Sequence, residues 1–259
     1  MFPADLVFPT SVCLRVTRRC NAACSFCQAP NTSRVMLTVA EIERIVAALR
    51  ERGVATVKLS GGEPTSRADL AQIVMECGNQ SVKPVVITNG ISMHASVLSA
   101  LKKVGGELKF SVHRPDSSND LVLRVPSYQR VLAGIAASRS RSIPFSVNTV
   151  IAPGSTDLLP RMIGFAVEQG ARKVSFIPVV PRGRAQARPE FEFDDAGLDS
   201  VRSAIGELSA RYEPYIDVRC IDIRKRDYWI VENDGSLWLE KARDDDDVLI
   251  CEKSALMAL

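Results

Sequence analysis

From residue 12 onward, short runs of β-branched and apolar residues alternate with stretches in which apolar positions recur every three or four residues. Six runs read as strands: 12–17, 55–60, 84–88, 108–112, 145–151 and 174–180. A helical pattern follows each. The clearest opens at Thr38, with Glu41 three residues on as a capping box, runs through Ile42, Ile45, Val46 and Leu49, and stops at Gly53. Leu70, Ile73, Val74 and Cys77 repeat the scheme before Gly78, as do Val97, Leu98, Leu101 and Val104 before Gly105. Later helices are read from Val131, Leu132 and Ile135, from Met162, Ile163, Ala166 and Val167, and from Leu198, Val201, Ile205 and Leu208.

This rhythm predicts an α/β fold with parallel strands. Six units fall short of the eight that close a barrel, so the expectation is a partial (β/α)6 TIM-like barrel with its chemistry at the C-terminal strand ends. Past Tyr212 the pattern weakens into two short strands, 215–218 and 228–231, with a turn at Asn233, Asp234 and Gly235; residues 244–247 read as a solvated acidic loop. The predicted organisation is a barrel domain over 11–212 and a short C-terminal extension over 213–259 that covers it.

Composition narrows the reading. With 33 basic and 30 acidic residues, net +3, the chain is too balanced for charge to argue for nucleic acid. No apolar run approaches the roughly 20 residues of a membrane span, and residues 1–10 lack the features of a secretory signal, so a cytoplasmic protein with no membrane partner is expected. Seven cysteines, an odd number without framework spacing, read as thiols and ligands rather than disulfides.

Three of these cysteines, Cys20, Cys24 and Cys27, fall within eight residues directly after the first strand. Three thiolates on a compact loop can reach three corners of an iron–sulfur cube and leave one iron open, whereas clusters that only carry electrons are held by four cysteines. A zinc site is the alternative, and it wants a fourth Cys or His. His94 and His113 have no such spacing. After the second strand come Gly61, Gly62, Glu63 and Pro64, where glycines allow close backbone approach to a ligand and the carboxylate can meet a cation.

The CxxxCxxC spacing of Cys20, Cys24 and Cys27, with Phe26 before the third cysteine and the GGEP segment at the next strand end, resembles the radical SAM superfamily. The resemblance covers residues 11–187 and is closest to the branch of the molybdopterin-precursor cyclase, viperin and SPASM-bearing maturases. It implies a [4Fe-4S] cluster on the three cysteines, with S-adenosyl-L-methionine chelated at the fourth iron and cleaved to a 5′-deoxyadenosyl radical. It also implies cofactor contacts from Phe26, Gly61, Gly62, Glu63 and Pro64. At later strand ends the same role is implied for Thr88 and Asn89, Ser111 and His113, Asn148, and the backbone at Val179. An electron donor such as flavodoxin or ferredoxin is implied as a partner.

Arg182 and Arg184, in the segment Pro181 to Ala185, could clamp a substrate carboxylate or phosphate, or simply be solvated. Cys13 and Cys77 read as core. Cys220 and Cys251 are too few for an auxiliary cluster, so a single cluster is expected; by the resemblance, either could donate a hydrogen atom to a product radical. The leading expectation is hydrogen abstraction from an unactivated C–H of a small-molecule or nucleotide-like substrate. Cyclisation or epimerisation of a peptide is the first alternative, and a non-catalytic iron–sulfur or zinc protein the second.

Overall fold

The structure is a computed structural model that describes residues 7–30, 33–186, 188–225 and 227–258. Ten strands form one sheet: β1 (Ser11–Thr17), β2 (Thr56–Gly61), β3 (Lys83–Thr88), β4 (Glu107–Ser111), β5 (Phe145–Ile151), β6 (Lys173–Pro178), β7 (Asp217–Cys220), β8 (Tyr228–Val231), β9 (Leu237–Glu240) and β10 (Val248–Cys251). Their order is β10-β9-β8-β1-β2-β3-β4-β5-β6-β7. From β1 to β7 every neighbour is parallel, and β8 also runs parallel to β1. The last hairpins, β8-β9 and β9-β10, are antiparallel. Since β7 and β10 are the two edges, the barrel is open, as expected from its unit count.

The helices are α1 (Val39–Glu51), α2 (Leu70–Asn79), α3 (Ala95–Val104), α4 (Asn119–Leu123), α5 (Tyr128–Ser140), α6 (Leu158–Glu168), α7 (Asp195–Tyr212) and α8 (Lys253–Leu256). The α1 capping box forms as read: the Glu41 carboxylate accepts the Thr38 N–H at 2.8 Å, and Thr38 Oγ1 accepts the Glu41 N–H at 3.2 Å. Its stripe of Ile42, Ile45, Val46 and Leu49 is fully buried. Val12, Leu14, Val16, Val57 and Leu59 belong to the same apolar core. Alternate positions on those strands, Ser11, Cys13, Arg15, Lys58 and Ser60, line the barrel cavity instead. The two strand faces therefore divide the work, one holding the fold and the other offering chemistry.

Residues 213–259 do more than cover the barrel. Strand β7 pairs with β6 at one edge, while β8 pairs with β1 at the other through Cys13↔Ile230 and Leu14↔Val231. The seam is ionic. Buried Arg15 meets Glu232 and, at 2.5 Å, Glu240, and Arg18 meets Glu232 at 2.9 Å.

The structure corrects two readings here. Arg182 is neither a free clamp nor solvated: it is 4% exposed, pairs bidentately with Asp247 at 2.7 Å, and also reaches Asp244 at 2.8 Å and the Lys241 carbonyl at 2.7 Å. Segment 244–247 is correspondingly an anchor rather than merely a solvated loop. Removing one partner of a buried pair strands the other, which is why this contact ties the β6 loop to the extension. Among the described residues no helix is long and apolar enough to cross a membrane. Residues 1–6, part of the stretch read as lacking a secretory signal, lie outside the described ones.

Candidate active site

A cavity of about 410 Å³ opens at the C-terminal strand ends. Cys20, Cys24, Phe26, Cys27, Gly61, Gly62, Glu63, Thr88, Asn89, Ser111, His113, Asn148 and Val179 all line it, drawn together from six strand ends. The loop that carries the cysteines leaves β1, and two glycines set its position. A Cβ on Gly61 would stand 2.0 Å from the Thr17 carbonyl oxygen, and one on Gly62 would stand 2.2 Å from that of Arg19. Gly62 N–H and Glu63 N–H instead donate to those carbonyls, each at 2.7 Å. The glycines thus admit the end of β1 itself, not only a ligand, and lock Glu63 beside the cysteine loop.

The Glu63 carboxylate is 1% exposed and accepts four hydrogen bonds, from Thr65 N–H at 3.0 Å, Thr65 Oγ1 at 2.7 Å, Thr88 Oγ1 at 2.7 Å and Asn89 N–H at 2.7 Å. Burial raises its pKa, and the four donors work against that rise. Thr88 and Asn89 therefore serve the carboxylate. Asn89 also donates to Asn21 of the cysteine loop at 2.7 Å, joining β3 to that loop. Pro64 is buried in the turn and is not among the residues that line the cavity.

All three thiols line the cavity and repel one another electrostatically. Burial pushes Cys24 up to about 12, with repulsion from Cys27 and Cys20 adding to it; Cys20 is raised by burial, with Glu63 and Cys27 contributing. Arg184 opposes both shifts, its N–H bonding the Cys27 carbonyl at 2.9 Å and its guanidinium the Cys24 carbonyl at 3.3 Å. Arg184 therefore braces the cysteine loop and does not line the cavity. Among the described residues no three His, Cys, Asp or Glu side chains converge on one metal-ion position. A cube takes its thiolates on three separate irons rather than on one ion. The donor set fits a [4Fe-4S] cluster, whose positive irons would relieve the mutual repulsion of the thiolates.

Phe26 lies edge-on to His113, with centroids 4.8 Å apart. His113 Nδ1 accepts the Val150 N–H at 3.1 Å, so the neutral ring carries its proton on Nε2. Burial, and then Arg114, hold its pKa at about 3. Since the unfolded ring titrates near 6.5, the unfolded chain takes up this proton first. Stability from this group is full above about pH 6.5 and falls by about 1.4 kcal/mol per pH unit below it, down to about pH 3. Equilibrium unfolding at pH 7 and 5 is expected to show His113→Asn losing about 2 kcal/mol less than the native chain over that interval. An equal loss in both would refute the assignment.

Asn148 is 9% exposed, and its Oδ1 has no hydrogen-bond partner. Val179 offers mainly its side chain, because its N–H bonds the Ile151 carbonyl at 2.9 Å and its carbonyl accepts Arg224 at 2.7 Å. Among the other cysteines, Cys77 is fully buried in the core as expected. Cys220 and Cys251 lie on opposite edge strands, pack against the apolar core and are not among the residues that line the cavity. Cys13 is buried, as expected, but on the cavity face of β1, where it hydrogen-bonds Tyr228. Asp227, Tyr228, Trp229 and Ile230 also line it, a contribution from the extension that no sequence motif announced.

A partial barrel with three loop thiols and a pinned carboxylate at its mouth is the architecture of an enzyme that aims a metal-bound cofactor at a substrate. A family model for the radical SAM superfamily matches residues 14–165, more than half of the chain, and the chain belongs to that superfamily. Its members use a [4Fe-4S] cluster and S-adenosyl-L-methionine, and the chain is an enzyme of this kind. It is 28% identical over 218 residues to a probable GTP 3′,8-cyclase of Sulfurisphaera tokodaii, covering 82% of this chain and 67% of that protein. It is 28% identical over 237 residues to the PqqA peptide cyclase of Methylocella silvestris, covering 87% and 62%. Its fold matches the crystal structure of Streptococcus suis SuiB bound to precursor peptide SuiA, with a TM-score of 0.78 at 17% identity, over 95% of this chain and 60% of that one. The chain thus spans about 60–67% of the length of these proteins.

Proposed function

We propose that Cys20, Cys24 and Cys27 hold the cluster, that Glu63 receives the ammonium of S-adenosyl-L-methionine, and that the substrate is a small or nucleotide-like molecule with an unactivated C–H. The observation that carries this is the Glu63 carboxylate, buried, held by four donors and bonded through its own N–H to the cysteine loop. When bound, the cluster and cofactor supply an electron and a carbon radical able to abstract hydrogen. The chain supplies aim and exclusion. Phe26 and His113 form a neutral wall, Asn148 offers an unpaired acceptor, and Val150, Ile177 and Val179 give an apolar side without transferable acidic protons. An electron donor such as flavodoxin or ferredoxin belongs to this reading.

Closure of the β1 edge by Tyr228 and Trp229 favours a compact substrate. A second reading, modification of a peptide, is favoured by the likeness to the PqqA peptide cyclase and to SuiB bound to SuiA. Anaerobically reconstituted protein given dithionite and S-adenosylmethionine is expected to form 5′-deoxyadenosine, and Cys24→Ala to form none and to lose the cluster's visible absorbance. An intact cluster without deoxyadenosine would favour an electron carrier. Deuterium transfer into deoxyadenosine from labelled peptides or nucleotides separates the two substrate readings.

A further inference from the structure

The charged groups that line the cavity are sorted by height, and all but two near its floor are accounted for. Arg15 is paired with Glu232 and Glu240, Asp227 with Lys241, and the Glu63 carboxylate at the mouth is held by four hydrogen bonds. The ammonium groups of Lys58 on β2 and Lys109 on β4 have no hydrogen bond or ion pair among the described residues. Both project from the inner face. Lys58 sits opposite Cys13 on β1, and Lys109 opposite Ile87 on β3, so one strand separates the two lysines. Lys58 lies three residues below Gly61, on the order of 10 Å from the mouth. Its Nζ lies 5.9 Å from the ring centroid of Tyr228.

Two like charges left unpaired inside a half-enclosed cavity cost stability unless something answers them. Lys109 registers this: burial first, then repulsion from Lys58 and Lys173, lowers its pKa to about 8, while Cys13 and Glu107 act weakly the other way. Lys173 itself is paired with Asp217. On the same wall the Asn148 Oδ1 and the Ser11 Oγ are buried without partners. The two ammonium groups, the Asn148 Oδ1 and the Ser11 Oγ thus stand as unpartnered polar groups in a largely apolar cavity, which carries a carboxylate above and two ammonium groups below.

We propose that an oxyanion of the substrate, a carboxylate or a phosphate, docks between Lys58 and Lys109 and fixes the depth at which the substrate sits beneath the cofactor. The assignment rests on the functional reading above and narrows the substrate to an anionic one. Two cations on separate strands suit an anion with several acceptor oxygens, and the acceptor on Asn148 takes a hydroxyl or amide donor from the same molecule.

Calorimetric titration of the reconstituted, S-adenosylmethionine-loaded protein with inorganic pyrophosphate and, separately, succinate tests it. At least one anion is expected to bind, and the one that binds tells phosphate from carboxylate. Lys58→Met and Lys109→Met should each weaken that binding about tenfold or more, and Lys58→Arg and Lys109→Arg should largely keep it. Lys102→Met, on the exposed face of α3, should leave it unchanged. Methionine keeps the apolar stem and removes an unpaired charge; Lys109→Gln serves as a second variant should either methionine variant fail to fold.

Absence of binding by both anions, or undiminished binding in the methionine variants, overturns the proposal. So does loss of S-adenosylmethionine binding in those variants, which would give the lysines to the cofactor. Deoxyadenosine formation by the same native sample keeps the two levels apart. If it forms and neither anion binds, only the oxyanion site falls; if it does not form, the functional reading fails and the site falls with it.

Discussion

Gly62→Ala is expected to destabilise the protein by about 3 kcal/mol or more, the upper range for forcing extra volume into packed structure. The new methyl would meet the backbone carbonyl of Arg19 at 2.2 Å, and backbone cannot swing aside as a side chain can. Relief requires the Glu63 N–H to leave the Arg19 oxygen, which uncouples the carboxylate from the cysteine loop. Thermal unfolding should fall by roughly 6–12 °C for a chain of this size, and iron incorporation should drop in parallel. A melting point within about 2 °C of the native protein would show that the loop yields freely, and the account of the glycine pair would be wrong.

The second large effect concerns Glu63→Gln. The amide keeps one oxygen for four donors and turns an NH2 toward them, leaving buried donors unsatisfied at about 1–3 kcal/mol. Lost charge matters more for the ligand: a hydrogen bond to a charged group contributes about 1.5–3 kcal/mol, so affinity for S-adenosylmethionine should drop by roughly 10- to 150-fold. Because burial raises the carboxyl pKa in the ligand-free fold, ionisation costs the native state stability as pH climbs from the ordinary glutamate range through the raised value, and the ammonium would return it. Equilibrium dialysis with reconstituted protein measures the change. Unaltered affinity would remove Glu63 from the cofactor site.

Much of this was open to a reader of the bare chain, for identifiable reasons. Strand β5 runs over the residues its apolar pattern predicts, and α1 opens at Thr38 because the capping box is local chemistry. The cysteine loop and Glu63 were legible because their spacing is itself the chemistry. What escaped depends on distance along the chain. Arg15 and Glu232 are 217 residues apart, and nothing near either announces the other. Cys13 looked like core because free thiols usually are, yet its alternation with Ser11 and Arg15, polar against apolar Val12 and Leu14, marked it as inward-facing. The same alternation marks β2, where Lys58 and Ser60 face the cavity and Val57 and Leu59 the core. Strands β9 and β10 have only four residues each, too short for periodicity to register.

The seam between β1 and β8 has a consequence for biosynthesis. As the nascent chain leaves the ribosome, the cysteine loop and the GGEP turn emerge early, while Glu232 and Glu240 come some two hundred residues later. Until then Arg15 has no carboxylate to meet and the flank of the barrel beside it stays open. Pairing of Arg15 with Glu232 and Glu240 therefore waits on the synthesis of residues 228–240, and closure of this flank follows the cysteine loop in time.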